Sequence, residues 1–404
     1  MGKAGWERFL YYGLIVLAAL TPLLGWKLKY LWMIMAAAWF VKGPSFKNVL
    51  LTPVIMYAFV TVLSIVIGVD PAASFHYSIK NDVSILIFFI VASSVKDKKQ
   101  AMLLIRVFLT GAVVVCVLGL LQYLFQNSSF MEKMLGFLKV EPLRLSGGRI
   151  YANRIHPVIF ANNIGLYIPV MLAFYMVRRS AFSFVGVVLF FLILFLTYTR
   201  MIILSVGVWF FLMSLLFFKK MKYIALPILI SVILMTGFLV VSKCDTLKGR
   251  LNLNNGGRFF LWANALKLIK KQPLFGAGPG NEMKVFNEYA KSRTEYYHLH
   301  NNLIQIAAER GVFAAVVYLW ALFVFFRALV NKIIFGGLEK GRVYILVGLM
   351  AGFAIFTVCG LTDYTFCRPE MYFPFYFLAG IAMSGAFKET SAFLNGLDYR
   401  KEPL

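Results

Sequence analysis

Apolar runs of near membrane-crossing length recur along almost the whole chain, and they restrict what it can become. Twelve are discernible, at about 9–25, 28–41, 49–69, 83–95, 101–126, 155–177, 181–199, 201–218, 223–242, 312–330, 343–361 and 371–387. A helix needs roughly 20 apolar residues to cross a bilayer, so the second and fourth runs are short for the purpose. The chain is 61% hydrophobic and 14% charged, against roughly 25% charged in a soluble domain. The expected fold is all-α: a polytopic integral membrane protein of about 12 transmembrane helices. Pro22, Pro53, Pro169, Pro227 and Pro374 fall inside runs, which membrane helices tolerate where neighbours satisfy the freed carbonyl. Lys3 and Arg8 before the first run mimic a signal peptide. No small-residue cleavage pattern follows, so this run reads as the first span.

The distribution of Lys and Arg orients the chain. With the N-terminus inside, the inner segments carry nineteen and the short outer loops only Lys27, Lys29, Lys80, Arg200 and Arg368. Both termini are therefore expected in the cytoplasm. The organisation follows: residues 1–242 form a bundle of about nine spans with an outer segment at 127–154. Residues 243–311 form one long outer loop, and 312–404 hold the last spans and an inner tail. Both long outer segments are basic, with eleven Lys/Arg against five Asp/Glu across 243–310. Such a surface meets anionic lipid headgroups or binds a polyanion, most plausibly phosphate. Nothing in the chain points to nucleic acid. Cys116, Cys244, Cys359 and Cys367 show no metal-ligand spacing. The topology leaves Cys244 and Cys367 outside, where two unrelated thiols or a disulfide are both compatible with the sequence.

The outer loop holds the chemistry. Its segment 252–273 is expected to be helical from about Arg258 and to stop at Pro273. Phe259, Trp262, Leu266 and Ile269 form an apolar stripe, which suits a helix lying on a membrane surface or against the bundle. "PLFGAGPGN" (273–281) is a Gly/Pro turn and weakly signals a phosphate cradle; it lacks the Gly-Lys-Ser/Thr of a P-loop. "HLHNNLIQIAAERG" (298–311) then leads into the tenth span. Arg200, in "TYTR", sits between two apolar stretches, where a cation is costly unless it snorkels or binds an anion. Arg258 opens a helix whose free N–H groups already favour anions.

Of the histidines, His76 and His156 sit singly near outer span ends. His298 and His300 would point about 200° apart on a helix, so sharing a metal would require a strand-like segment. Beside a basic cavity, a neutral histidine suits general base work. Asn301, Asn302 and Gln305 can orient sugar hydroxyls or an imidazole. Glu309, one turn beyond Gln305, can fix a histidine or pair with an arginine.

Four stretches in order, "RLSGGRIYANRIHPVIFANNIGLYIP" (144–169), "TYTR" (197–200), "GRFFLWANALKLIKKQPLFGAGPGNE" (257–282) and "HLHNNLIQIAAERGVFAA" (298–315), carry a resemblance. With them, the chain resembles the O-antigen ligase/polymerase superfamily of bacterial membrane glycosyltransferases. The resemblance implies an inner-membrane enzyme with its site facing the periplasm. It implies a metal-independent, inverting transfer of glycan from undecaprenyl diphosphate, without cofactor. In ligases the acceptor is lipid A–core; in polymerases it is a second lipid-linked glycan. The resemblance matches the diphosphate-holding arginines to Arg200 and Arg258, and the base to His300, with His298 an extra neighbour. The candidate catalytic residues are thus His300, Arg200 and Arg258. The candidate substrate-binding residues are Arg144, Trp262, His298, Asn301, Gln305 and Glu309, and no metal ligand is expected. A transporter for lipid-linked sugar would instead place polar residues at mid-depth in several spans. Here the polar groups are expected at one face.

Overall fold

The structure, a computed structural model, describes residues 2–24, 28–125, 149–152, 156–217, 257–290, 298–366 and 368–387. Helix α1 (Lys3–Leu24) and α2 (Lys29–Lys42) precede α3 (Leu51–Ile67) and α4 (Pro71–Asn81). A 3-10 turn at Asp82–Ile85 joins α4 to α5 (Leu86–Ser94). Next come α6 (Lys98–Leu124), α7 (Pro157–Arg178), α8 (Ala181–Leu196) and α9 (Arg200–Phe217). After the long outer loop's two helices, α10 (Arg258–Lys271) and α11 (Glu282–Ala290), the chain ends in α12 (Asn302–Phe335), α13 (Lys340–Cys359) and α14 (Pro369–Met383). Among the described residues, six helices are long and apolar enough to cross a membrane, α4 and α5 counting as one. No strand occurs among the described residues. The all-helical, polytopic expectation holds. The ninth expected span, 223–242, lies outside the described residues, as do Arg144, Cys244 and Cys367.

Two span boundaries differ from the sequence reading. The fourth span runs from Pro71 to Ser94 rather than from residue 83. Asp70 caps it, accepting from the Ala73 N–H at 3.0 Å, with Pro71 in the first turn. Ser74 and Ser78 lower the hydropathy of α4 yet face the protein interior, so an apolar average misses this half. The tenth span begins at Asn302 rather than 312, because one helix passes through a kink at Gly311 (φ 84°). A Cβ at Gly311 would fall on the carbonyl of Leu274, so the kink and the close approach of the 273–281 turn both require glycine.

Helix α7 is the axis of the bundle, buried along most of its length. It packs most closely on α13, where Gly348 and Gly352 let backbones approach. A Cβ at Gly348 would stand 2.6 Å from the Pro169 carbonyl oxygen, and one at Gly352 would strike that of Leu166. Asn163, buried in α7, donates to the Glu370 carbonyl at 2.9 Å and so fixes the start of α14.

The connections segregate to two ends. At one end Glu7 pairs with Lys42 and Lys96, Lys98 pairs with Glu339, and Arg342 donates to the Ala386 carbonyl. These are the segments expected inside. Residues 149–152, 156, 197–200, 298–302 and 360–366 lie at the other end, where hydrogen bonds join Arg149 to Thr197 and Thr199 and join His300, Asn301 and Asn302 to Asp363, Leu361 and Thr365. Gly352→Val should lower the melting temperature in detergent by several degrees, as overpacking costs about 1–3 kcal/mol. An unchanged melting temperature would mean that the α7–α13 seam is not tight.

Candidate active site

Leu299 is the anchor on which the site is built. It is fully buried among Leu261, Leu268 and Phe286. Its N–H donates to Gln305 Oε1 at 2.8 Å, and its carbonyl accepts from Trp262 Nε1 at 2.9 Å. With Leu299 clamped, the histidines on either side emerge together. The segment is not helical, and His300 adopts φ 51°, a left-handed conformation uncommon outside glycine. The ring centroids of His298 and His300 are 4.2 Å apart. The helical spacing that would separate them does not apply, so the two imidazoles converge.

The partner of His300 is Asp363, which the sequence reading overlooked. His300 Nδ1 lies 2.9 Å from Asp363 Oδ1, while the Tyr364 N–H donates to the same oxygen. Burial alone would raise the Asp363 pKa. The hydrogen bond and charge of His300, with His298 and Arg258 adding to them, outweigh it and hold the carboxyl below its usual value. Burial also drives His298 down to about 4, with His300, Arg368 and Arg258 contributing in the same sense. His298 is therefore neutral near pH 7.

Two asparagines bring the dyad together. Asn301 caps α12, accepting from Ile304 N–H at 3.0 Å and donating to the Leu361 carbonyl at 2.8 Å. Asn302 donates from its backbone to the Gly360 carbonyl at 2.7 Å. Its side chain donates to Thr365 Oγ1 and accepts from the Thr365 N–H, each at 2.9 Å. A Cβ at Gly360 would collide with this amide. The asparagines thus lock the 360–365 turn to the histidine segment, and their amides are spent on that task.

Gln305 carries the connection inward, donating to Glu309 Oε1 at 2.7 Å. Glu309 pairs with its neighbour Arg310, not with a histidine or with Arg200 or Arg258. Arg310 also reaches both carboxylate oxygens of Asp82 at 3.1 Å. Asp82, Glu309 and Arg310 therefore lie within apolar spans, so the expectation that polar groups keep to one face fails for these three. The glycine turn packs on the same helix. Its Ala277 and Gly278 N–H groups bond to the carbonyls of Ala308 and Glu309. Those two N–H groups are taken and cannot serve a phosphate.

Arginines surround the histidines. Arg258 is exposed at the start of α10. Arg149 donates to the Thr197 carbonyl at 2.7 Å and to Thr199 Oγ1 at 2.9 Å, bracing the turn from which half-buried Arg200 starts α9. His156 caps α7, accepting from Val158 N–H at 3.2 Å. Burial first and Arg149 second lower its pKa, and Asp363, His300 and Arg368 are near enough to act on it. The site thus gains Asp363, Arg149, Arg368 and His156. Only Asp363 had a usable signal, as an acid in a short outer loop between two apolar spans. In α10 the expected stripe also turns out differently. Leu261, Ala265 and Leu268 are buried with Asn264, while Phe259 and Leu266 point outward, as on a helix resting at a membrane surface.

His298, His300 and Asp363 place one ligand atom each within 4.8 Å of the others, a spacing that could hold a metal ion. The short His300–Asp363 contact instead joins two of these groups to one another, as in a base and its orienting carboxylate.

Glu282 is buried beside Glu309. Burial, then the charge of Glu309, pushes its pKa to about 8 from an ordinary 4.5. A raised carboxyl pKa favours the protonated acid in the folded state. Its contribution is complete below about 4.5 and is lost as pH rises through about 8. The melting temperature should therefore fall as pH rises from about 4.5 to about 8 and level off above that, while Glu282→Gln, neutral throughout, should flatten that decline. Parallel curves for both proteins would remove the assignment.

Residues 185–319 match the family described as O-antigen ligase. The matched stretch contains Arg200, Arg258, Trp262, His298, His300, Asn301, Gln305 and Glu309, but neither Arg144 nor Asp363. A search of curated proteins finds no match to the chain.

Proposed function

We propose that this chain, whose residues 185–319 match the family described as O-antigen ligase, belongs to the O-antigen ligase/polymerase superfamily and has the activity of an O-antigen ligase. It transfers a glycan from undecaprenyl diphosphate to a sugar hydroxyl of lipid A–core. The observation that carries this reading is the His300–Asp363 pair, held at one end of the bundle among Arg149, Arg258 and Arg368. Asp363 accepts the Nδ1 proton of His300 and fixes that tautomer. Nε2 is then free to accept a proton from the acceptor hydroxyl. The hydroxyl oxygen attacks the anomeric carbon as the bond to the diphosphate oxygen breaks on the opposite side, so configuration inverts. The leaving group departs with the bonding pair, and the guanidinium groups of Arg200 and Arg258 stabilise the charge that accumulates. A sugar diphosphate already carries a good leaving group, so no metal enters the step.

The site faces the periplasm in this reading, and both termini are cytoplasmic. Lys/Arg bias in the short loops supports that orientation, because the short connections holding Lys42, Lys96, Lys98 and Arg342 gather at the opposite end of the bundle. Polymerase chemistry would use the same donor and dyad with a different acceptor. The deciding assay supplies the purified chain and donor with lipid A–core and lipid-linked glycan in competition. Transfer to lipid A–core, undiminished by EDTA, is expected. Elongation of the lipid-linked glycan alone would make it a polymerase, and loss on chelation restored by one metal would end the metal-free mechanism. Arg200→Ala and Arg258→Ala should each weaken donor binding; unchanged affinity in both would remove their role.

A further inference from the structure

The histidine segment and the 360–365 turn bring three metal-ligating groups to one point. His298, His300 and Asp363 each offer a ligand atom, and these atoms lie within 4.8 Å of one another. Backbone geometry and hydrogen bonds hold both segments in place. The left-handed conformation of His300 turns its ring against that of His298, with 4.2 Å between centroids. Asn301 and Asn302 fasten the turn that carries Asp363. The side chains of His300 and Asp363 are 23% and 14% exposed, so an ion from the water phase can reach them. Ligand atoms about 2.1 Å from a tetrahedral ion stand about 3.4 Å from one another. The 2.9 Å between His300 Nδ1 and Asp363 Oδ1 and the 4.8 Å bound on the triad bracket that spacing. Small side-chain rotations would close the shell.

Two imidazoles and one carboxylate suit zinc, whereas magnesium and calcium take oxygen ligands. We infer that Zn²⁺ binds His298, His300 and Asp363 and switches the site off. The inhibition, though not the binding, rests on the reading of His300 as the base. In the working state Asp363 accepts the Nδ1 proton of His300, and the Nε2 lone pair takes the proton of the acceptor hydroxyl. Zinc occupies the Nδ1 lone pair in place of that proton, and the proton moves to Nε2. The imidazole stays neutral, but the nitrogen that faced the acceptor becomes a donor and the base is lost. His298 supplies the third ligand, a task that general base catalysis by His300 leaves open to it. Arg258 and Arg368, whose charges act on His298, oppose a dication. Binding is therefore expected in the micromolar range, weaker than at a structural zinc site, and the inhibition is reversible.

The test takes the purified full-length chain in detergent, without a histidine tag and stripped with EDTA, and uses Co²⁺ as a visible probe. A single Co²⁺ should bind with the ligand-field bands of a four- or five-coordinate ion, and Zn²⁺ but not Mg²⁺ should bleach them. His298→Ala, His300→Ala and Asp363→Asn should each weaken Co²⁺ binding by about tenfold or more. His76→Ala, at an exposed histidine of α4, should leave it unchanged. Zn²⁺ should slow glycan transfer over the concentrations that displace Co²⁺, and EDTA should restore the rate. No bound Co²⁺ in the native chain, or native binding in all three site variants, would overturn the zinc site. Full transfer with zinc bound would overturn the inhibition. A chain that binds Co²⁺ yet transfers no glycan after EDTA would remove the ligase reading, and the inhibition with it, while the zinc site stands.

Discussion

Asn302 holds two distant parts of the chain in register, and the geometry at the dyad depends on it. Through its backbone N–H and both ends of its amide it grips Gly360 and Thr365, while Asn301 grips Leu361. Asp363 sits inside that gripped turn and His300 immediately precedes the gripping pair. Irregular backbone at the edge of a bilayer must find its hydrogen bonds within the protein. The asparagines meet that demand and in doing so set the position of one carboxylate against one imidazole. Buried Leu299 supplies the other restraint, from below. A loop so constrained can hold His300 in a left-handed conformation, where strain is tolerated because its surroundings over-determine it.

Most of the membrane architecture was legible in sequence, because hydropathy is a property of runs and survives averaging. It failed where polar residues face inward, as at Ser74 and Ser78 in α4, and where one helix passes through a glycine kink, as at Gly311. The candidate site was legible in part. His298, His300, Asn301 and Gln305 lie close in sequence and, with Trp262 from 37 residues away, do gather around one buried leucine. The pairing of Asp363 with His300 was not legible, since the two are 63 residues apart, and no local spacing records a contact made by two turns at helix ends. The roughly 200° that separates i and i+2 side chains holds on a helix, whereas residues 298–301 are not helical and His300 is left-handed.

The glutamate and arginine of the run "QIAAERG" serve the interior rather than the histidines. Gln305, Glu309, Arg310 and Asp82 form a continuous polar chain from the Leu299 backbone into the middle of the bundle. Charges at this depth are costly unless mutually satisfied, and here each carboxylate has a donor. The chain also fixes α12 to the 3-10 break between α4 and α5, with Tyr57 stacked near the guanidinium at 5.8 Å.

The claim that His300 and Asp363 act as one unit is open to a direct kinetic measurement. Transfer rates would be compared for the native chain, His300→Ala, Asp363→Asn and the double variant, with donor affinity measured in parallel. If His300 is the base and Asp363 orients it, His300→Ala should cost about 10²–10⁴-fold in turnover. The double variant should then be no slower than His300→Ala alone, with donor affinity preserved throughout. Multiplying losses, or an active His300→Ala beside an inactive His298→Ala, would contradict the assignment.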